Sequence, residues 1–132
     1  MSWSPTYEFK VGAFRADKYY DGDSFWLLIK RSFRDEKVVR CRLLGVDTWE
    51  VRLSKSKGVD EEHKKKGFLA KEFAGAFLVE HFDAGHVVWI RTHDISEWDS
   101  FGRVLCELFV DLPDGTTLTL AEELRKNGHE KS

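Results

Sequence analysis

The chain has 132 residues, of which 42% are hydrophobic and 33% charged, a composition that fits one ordinary globular domain and excludes a disordered chain. Its 21 Lys and Arg residues are balanced by 23 Asp and Glu residues, and the formal charge of -2 excludes the broad basic surface of a non-specific nucleic-acid binder. If the protein binds a nucleic acid or another polyanion, a local group of basic side chains must therefore bind it. No run of about 20 apolar residues and no signal-peptide stretch is present, so we expect a soluble chain as given and assign no compartment.

The first part of the chain is predicted to consist of strands and turns. Three alternating or β-branched runs are predicted as strands: residues 7–20, 24–30 and 37–46. Asp21 and Gly22 are a tight-turn signal before the second strand, and a polar connection with Asp35 and Glu36 precedes the third. Residues 51–60 are rich in Ser, Lys and Gly and are predicted as an exposed loop.

A long amphipathic helix is predicted over residues 61–82, and Gly85 is expected to follow its end. Its apolar stripe, which we interpret as core packing, consists of Leu69, Phe73, Ala76 and Phe77. Two further strands are predicted over residues 86–93 and 103–110.

The last part of the chain is predicted as a turn and a short helix. Residues 113–115 read Pro-Asp-Gly, a turn signal. Thr119 and Glu122 have the spacing of a capping box for a helix over residues 120–127, and Gly128 fits the position after its end.

These elements predict the fold class. Five short strands, one helix after the third strand and a short C-terminal helix indicate a mixed α+β domain over residues 1–132, with its core over about 7–129. A small β protein hides its strand edges best by closing the sheet, and an OB-type five-stranded barrel fits.

Neither the cysteines nor the histidines have the spacing of a zinc site. Cys41 and Cys106 lie in apolar runs without a CxxC pair, which favours buried free thiols over a disulfide. The five histidines are expected to be isolated surface or core side chains: His63, His81, His86, His93 and His129.

Two aspartates are candidates for a metal site. Asp23 follows the tight turn and Asp47 ends the third predicted strand, so the two carboxylates meet at one rim if these strands are neighbours. Such a pair is stable as a dianion only around a cation, and oxygen ligands favour Ca²⁺ or Mg²⁺. The alternative is a hairpin connector that binds nothing. Arg42 and Arg40 share the same strand parity, so alternation does not choose between them as a phosphate ligand.

Four blocks of the sequence are similar, in order and separation, to the signature blocks of the staphylococcal nuclease (thermonuclease) family. They are DGDSFWL at 21–27, RLLGVDTWE at 42–50, DSFGRVL at 99–105 and LAEELRKNGHE at 120–130. The resemblance spans residues 19–129. It implies an OB-fold barrel and a Ca²⁺-dependent phosphodiesterase that cleaves DNA and RNA, preferably single-stranded or denatured, and leaves 3'-phosphate ends.

The resemblance also implies roles for individual residues. The metal ligands would be Asp23, Asp47 and the backbone carbonyl of Thr48, with Asp21 as an outer carboxylate. Arg42 and Arg103 would grip the scissile phosphate, and Glu50 would act on the attacking water. Read without the family, Glu50 is an exposed loop carboxylate and Arg103 a surface partner of Asp99.

This chain departs from the family pattern at several positions. Trp49 stands where the family usually has Pro, so the backbone lacks the fixed φ angle that proline gives. Trp49 either stacks on a nucleic-acid base or anchors its loop on the barrel. Ser100 and Phe101 stand where the family has a Lys and a Tyr that hold the nucleotide, and the chain as given stops short of the family's final helix.

With its net charge, the chain is therefore expected to bind substrate more weakly and with more salt sensitivity than a basic homologue. Lys55, Lys57 and the run 64–66 are either a compensating basic patch or a solvated surface.

Two hypotheses follow: an active nuclease, expected as a monomer, or a nuclease-like OB module that binds nucleic acid or a protein without cleaving. Retention of every acidic and Arg position of the motif favours the first.

Overall fold

The computed structural model describes residues 7–49, 61–92 and 103–131. Six strands and two helices succeed one another along these residues. They are β1 (Tyr7–Phe14), β2 (Ser24–Ser32), β3 (Asp35–Leu43), α1 (Glu61–Asp83), β4 (Val87–Thr92), β5 (Val104–Asp111), β6 (Thr117–Thr119) and α2 (Leu120–Lys126). The mixed α+β class, the helix after the third strand and the short helix near the C-terminus are confirmed.

All six strands form one sheet, in the order β3-β2-β1-β4-β5-β6, and β3 also pairs with β5. This extra pairing closes β1, β2, β3, β5 and β4 into a ring of five strands, while β6 pairs with the last residues of β5. The β3–β5 pairing is parallel and the others are antiparallel. The end of β3 therefore lies beside the start of β5, which brings together two stretches that carry predicted site residues.

The core fills the inside of the ring, where alternate side chains of the strands are buried. The ring contributes Phe25, Leu27, Cys41, Leu43, Ile90 and Leu108, and the helices contribute Leu78, Leu120 and Leu124. Cys41 and Cys106 are buried free thiols on the paired strands β3 and β5, as predicted.

The strand boundaries differ from the prediction at several positions, and β3 ends at Leu43 instead of continuing to residue 46. Asp35 and Glu36 belong to β3, and the turn before it lies one step earlier, at Arg34, whose φ is +63°. The first strand ends at Phe14 instead of continuing to residue 20. Strand β6 was not predicted, since three residues after a turn give too short a pattern to be recognised.

The buried face of α1 also differs from the predicted stripe. Phe77 is buried, but Leu69 is 55% exposed and Ala76 is exposed. The helix instead buries mainly small residues: Gly67, Ala70, Ala74 and Gly75, with Phe77, Leu78 and His81 towards its C-terminus. The predicted core packing is therefore confirmed for Phe77 and for Phe73, which packs against the core, and is wrong for Leu69 and Ala76. The small residues were missed because small side chains carry little hydrophobic signal.

Both helices end at the glycines that the sequence indicated. Gly85 and Gly128 have positive φ values of 76° and 77°, which favour glycine because it has no Cβ. In each case the next residue, His86 or His129, donates its N–H to a carbonyl of the last turn. The predicted capping box is wrong, however, because the Thr119 side chain makes no cap hydrogen bond.

In the part of the chain that the structure describes, no helix combines the length and apolar character needed to cross a membrane.

Candidate functional site

The loop that carries Asp21 and Asp23 is packed directly on α1. A methyl group on Gly22 would lie 2.8 Å from the Ala70 Cβ, and one on Gly75 would lie 2.5 Å from the Tyr20 hydroxyl oxygen. The two glycines therefore permit a contact that any side chain would prevent. This close approach explains why α1 buries small residues, and it fixes the position of the acidic loop.

Aromatic and hydrogen-bond contacts hold the same loop. The Lys71 ammonium lies 5.6 Å and 4.6 Å from the ring centroids of Tyr19 and Tyr20. The Tyr19 hydroxyl donates to the Asp21 carboxylate at 3.1 Å, and the Asp21 N–H donates to the Ser24 carbonyl at 2.8 Å. Asp21 and Ser24 thus form the predicted tight turn, which is closed by an isolated antiparallel bridge.

Asp23 is buried between β3 and the loop that follows it. Only 6% of the residue is exposed. One carboxylate oxygen accepts the Thr48 N–H at 2.9 Å, and its backbone carbonyl accepts the Leu43 N–H at 2.8 Å. A charged group this deeply buried is costly unless a neighbouring group compensates its charge.

Arg42 supplies the compensation and links the two predicted metal ligands. Its Nη1 lies 3.4 Å from Asp23 Oδ2, and its Nη2 lies 3.3 Å from Asp47 Oδ1. Nη1 also donates to the carbonyls of Leu43 at 2.7 Å and Val46 at 2.9 Å. We refer to Asp23, Arg42 and Asp47 as the rim cluster. The structure thus brings together the two carboxylates and the arginine that the sequence singled out.

The Arg42 guanidinium is fixed but not saturated. A guanidinium has five N–H donors in a rigid fork. Two on Nη1 and one on Nη2 are used by Leu43, Val46 and Asp47, which leaves the Nε–H and one Nη2 donor without a partner among the described residues. A planar donor pair of this kind is suited to phosphate oxygens.

The electrostatics of the rim cluster are those of a site that favours added positive charge. Burial raises the pKa of the Asp23 carboxyl above its ordinary value, and the Arg42 charge and the Thr48 N–H lower it only in part. The neighbouring charges of Asp21 and Asp47 raise the pKa further. Two ionised carboxylates against one guanidinium leave the cluster with a net negative charge.

Two buried hydroxyl oxygens beside the rim cluster lack hydrogen-bond partners. They are Ser24 Oγ and Thr48 Oγ1, and they are the buried side-chain N or O atoms without a partner within the described ranges. Ser24 follows Asp23 and pairs with Arg42 across the β2–β3 ladder, and Thr48 follows Asp47. Unsatisfied buried polar groups are rare in folded proteins and call for an additional ligand such as an ion or a water.

The loop after β3 is held from its other side by α2 and the residues beyond it. Arg125 donates a hydrogen bond to the Gly45 carbonyl, and the Lys131 N–H donates to the Asp47 carbonyl at 2.5 Å. Gly45 has a positive φ of 84°, so the chain reverses there and aims Asp47 back at Arg42. The LAEELRKNGHE block therefore supports the site without forming it.

Trp49 stacks on a side chain of α1. Its ring centroid lies 3.9 Å from that of His63, with an angle of 15° between the ring planes. The ammonium groups of Lys66 and Lys131 lie 5.5 Å and 5.1 Å from the same centroid. This geometry matches the loop-anchor interpretation of Trp49, while its contact with a nucleic-acid base stays a prediction. Lys66 also pairs with Glu62 at 3.8 Å, so this member of the 64–66 run faces neighbours in the fold.

Arg103 lies at the start of β5, on the strand that runs beside β3. It precedes Val104, the partner of Cys41, so its backbone lies beside β3 at the level of Arg40. Four residues assigned from the resemblance or the loop composition lie outside the described residues, together with Asp99 and Ser100: Glu50, Lys55, Lys57 and Phe101.

The oxygen atoms around the rim cluster are of the chemical types that bind a hard divalent cation. Carboxylate oxygens, backbone carbonyls and hydroxyls are the ligands that Ca²⁺ prefers. Asp23, Asp47 and the Thr48 carbonyl would hold it, and the unpartnered hydroxyls lie beside them. Over residues 7–49, 61–92 and 103–131, however, no group of three or more His, Cys, Asp or Glu side chains is arranged to hold a metal.

One pair of ionisable side chains was missed by the sequence analysis. His81 Nδ1 and His86 Nδ1 lie 2.9 Å apart, so the expectation of isolated histidines is wrong for these two. We call them the histidine pair. The cause is the helix end at Gly85, because the His86 N–H bonds the His81 carbonyl and brings these side chains together. The glycine spacing was the signal that could have revealed the contact.

A scan against protein-family models finds no match for this chain, and a search of curated proteins finds no significant relative. The family likeness therefore rests on the four sequence blocks alone, and what it implies is a proposal.

Proposed function

We propose that this protein is a Ca²⁺-dependent nuclease of the staphylococcal nuclease type, built on an OB-type barrel, which hydrolyses phosphodiester bonds in single-stranded DNA and RNA. The observation that carries the proposal is the rim cluster. Asp23 and Asp47 lie on opposite sides of the Arg42 guanidinium, at 3.4 Å and 3.3 Å, beside two unpartnered buried hydroxyls. Buried hydroxyls without partners and an excess of carboxylate charge are features that a bound cation would complete.

Each described residue has a distinct part in the proposed reaction. Asp23, Asp47 and the Thr48 carbonyl hold the cation, which, when bound, polarises a phosphoryl oxygen and helps to position water. Arg42 directs its two remaining N–H donors at the phosphate, and Arg103 approaches from the neighbouring strand. Fixed guanidinium donors stabilise the charge that develops as phosphorus becomes five-coordinate. Glu50 is proposed to orient the attacking water.

A second candidate function is a binding module that does not cleave. The observation that favours it is that Arg42 already neutralises part of the carboxylate charge and donates to two backbone carbonyls. In that case the guanidinium replaces the cation as the partner of the carboxylates, and the rim cluster is structural.

Digestion of fluorescently labelled single-stranded DNA with Ca²⁺, with EDTA and with Arg103→Ala tests the proposal. We expect cleavage with Ca²⁺, none with EDTA, and a loss of roughly 10²-fold or more for Arg103→Ala, by analogy with the removal of one oxyanion donor. Arg15→Ala is the matched control, because Arg15 is an exposed arginine that pairs only locally with Asp17. Cleavage that persists in EDTA would refute the metal mechanism, and no cleavage at any Ca²⁺ concentration would favour the binding module.

A further inference from the structure

The outer face of β2 and β3 carries an unusual pair of side chains next to the rim cluster. Trp26 and Arg40 are direct partners across the β2–β3 ladder, one row further along the strands than Ser24 and Arg42. Both are half-buried. Two residues along a strand correspond to about 6.7 Å, so this row begins within one nucleotide's reach of the Arg42 guanidinium.

Arg40 is a cation without a counter-ion among the residues that the structure describes. No hydrogen bond, ion pair or ring contact joins its side chain to any residue in the part of the chain that the structure describes. By contrast, Arg15, Arg42 and Arg91 each pair with at least one carboxylate. A half-buried guanidinium that lacks a partner within the fold is available to an anion from outside.

Trp26 provides an aromatic surface in the same row. The Lys18 ammonium lies over this ring, 5.0 Å from its centroid, so a base that stacks on the same face must displace it. The backbone of Arg103 lies beside β3 at the level of Arg40, because the next residue, Val104, pairs with Cys41. The row therefore combines an indole ring with basic side chains, as is typical of surfaces that bind single-stranded nucleic acid.

We propose that Trp26 and Arg40 form a subsite for the nucleotide that neighbours the scissile phosphate, with the base stacked on Trp26 and the adjoining phosphate bound by Arg40. This inference rests on the proposed function, because it takes the Arg42 site as the point where the strand is held. The occupant is single-stranded, since a base within a duplex cannot present its face to an indole. The charge complementarity of the row and its continuity with the rim cluster support this choice over an anionic protein.

A binding titration isolates this subsite from catalysis. Fluorescein-labelled (dT)12 is titrated in EDTA, where no turnover is expected, with the unmodified protein, Trp26→Leu, Trp26→Phe, Arg40→Gln and Lys37→Gln. We expect Trp26→Leu to raise the Kd roughly 10-fold or more, and Trp26→Phe to restore most of the affinity because a phenyl ring also stacks. Arg40→Gln should lower the slope of log Kd against log salt by about 0.7, the value for one phosphate contact on a single strand. Lys37 is the matched control, an exposed cation of β3 outside this row.

The outcomes separate this subsite from the nuclease proposal. If the protein cleaves DNA with Ca²⁺ but Trp26→Leu and Arg40→Gln bind (dT)12 as the unmodified protein does, the subsite is refuted and the nuclease survives. If it cleaves nothing but both variants lose affinity while Lys37→Gln does not, the nuclease is refuted and the subsite stands. Failure of the unmodified protein to bind, or an equal loss for Trp26→Leu with heparin, a polyanion without bases, would overturn the stacking role.

Discussion

The rim cluster and the histidine pair are both groups of ionisable side chains packed close together, but they differ in how their hydrogen bonds are completed. In the histidine pair one imidazole bonds the other, with the two Nδ1 atoms 2.9 Å apart, and neither histidine has a buried side-chain nitrogen without a partner. The rim cluster leaves two buried hydroxyls unpartnered and a net negative charge in place. A self-contained pair can be explained by folding alone. An incomplete cluster held in place by several elements points instead to a ligand.

The rim cluster is supported by more of the molecule than the histidine pair is. The acidic loop rests on α1 through Gly22 and Gly75, and the loop after β3 is bonded from α2 through Arg125. The histidine pair needs only the end of α1 and the residue that follows Gly85. Rigid support of a charged group from separate elements is what precise positioning of a reactive group requires.

The largest effect is expected from Arg42→Ala, which removes the cation shared by both carboxylates. We expect cleavage to fall about 10²-fold or more, and the free energy of unfolding to fall by about 3 kcal/mol near neutral pH, because Asp23 is left buried and charged. Chemical denaturation and initial rates measure the two effects. The stability deficit should shrink in acid, where Asp23 becomes protonated. Arg15→Ala should change neither quantity, and an equally stable Arg42→Ala would contradict the role of Arg42 in neutralising Asp23.

A smaller effect is expected from the Trp49 anchor. A double-mutant cycle with Trp49→Ala and His63→Ala should give a coupling of about 1 kcal/mol, as for other stacked aromatic pairs. Additive losses would show that the 3.9 Å stack contributes nothing to stability. The same variants decide the other role of Trp49. If Trp49→Ala leaves oligonucleotide binding unchanged in a fluorescence titration, the base-stacking prediction is wrong.

The smallest effect concerns the pH dependence of the histidine pair. Burial lowers the pKa of His81, the His86 charge lowers it further, and Glu80 and Glu123 oppose this. The folded protein therefore favours the neutral His81 imidazole. The stability that this preference adds is fully present above the unfolded pKa of about 6.5 and is lost as the pH falls through the pKa of the folded state.

Thermal unfolding between pH 7.5 and 5 measures this dependence. His81→Gln should remove part of this pH dependence without changing cleavage at neutral pH. His129, whose pKa is also lowered by burial, provides the matched control, because His129→Gln keeps the pair intact. Loss of cleavage in His81→Gln would mean that the histidine pair, too, belongs to the functional site.

Local sequence patterns predicted the parts of the fold that local chemistry determines. The Asp21 turn, the extent of α1 and its end at Gly85 follow from turn residues, periodicity and a glycine with positive φ. The buried face of α1 was predicted only in part, because its contacts with the acidic loop use Ala70 and Gly75, whose small size matters only once the loop is in place.

The sequence singled out Asp23, Arg42 and Asp47, which the structure brings together, but it did not give their arrangement. Strand alternation gave Arg40 and Arg42 the same side and could not choose between them. The choice depends on the end of β3, where Arg42 reaches the Val46 carbonyl and both carboxylates. The histidine contact also arises where the chain reverses its direction after α1. The residue periodicities of strands and helices, 2 and 3.6, do not reveal such a reversal.

Asp23→Asn tests the central claim most directly, because it separates function from stability. Asparagine keeps an acceptor for the Thr48 N–H but removes the buried charge. Because burial raises the pKa of the Asp23 carboxyl above 3.8, the unmodified protein loses stability as the pH rises and this carboxyl ionises. The variant should not show this loss. In EDTA at neutral pH we expect the variant to be more stable than the unmodified protein. With Ca²⁺, its initial rate of single-stranded DNA cleavage should fall at least 10²-fold. Cleavage at the unmodified rate by a well-folded Asp23→Asn protein would contradict the assignment of the rim cluster as the catalytic site.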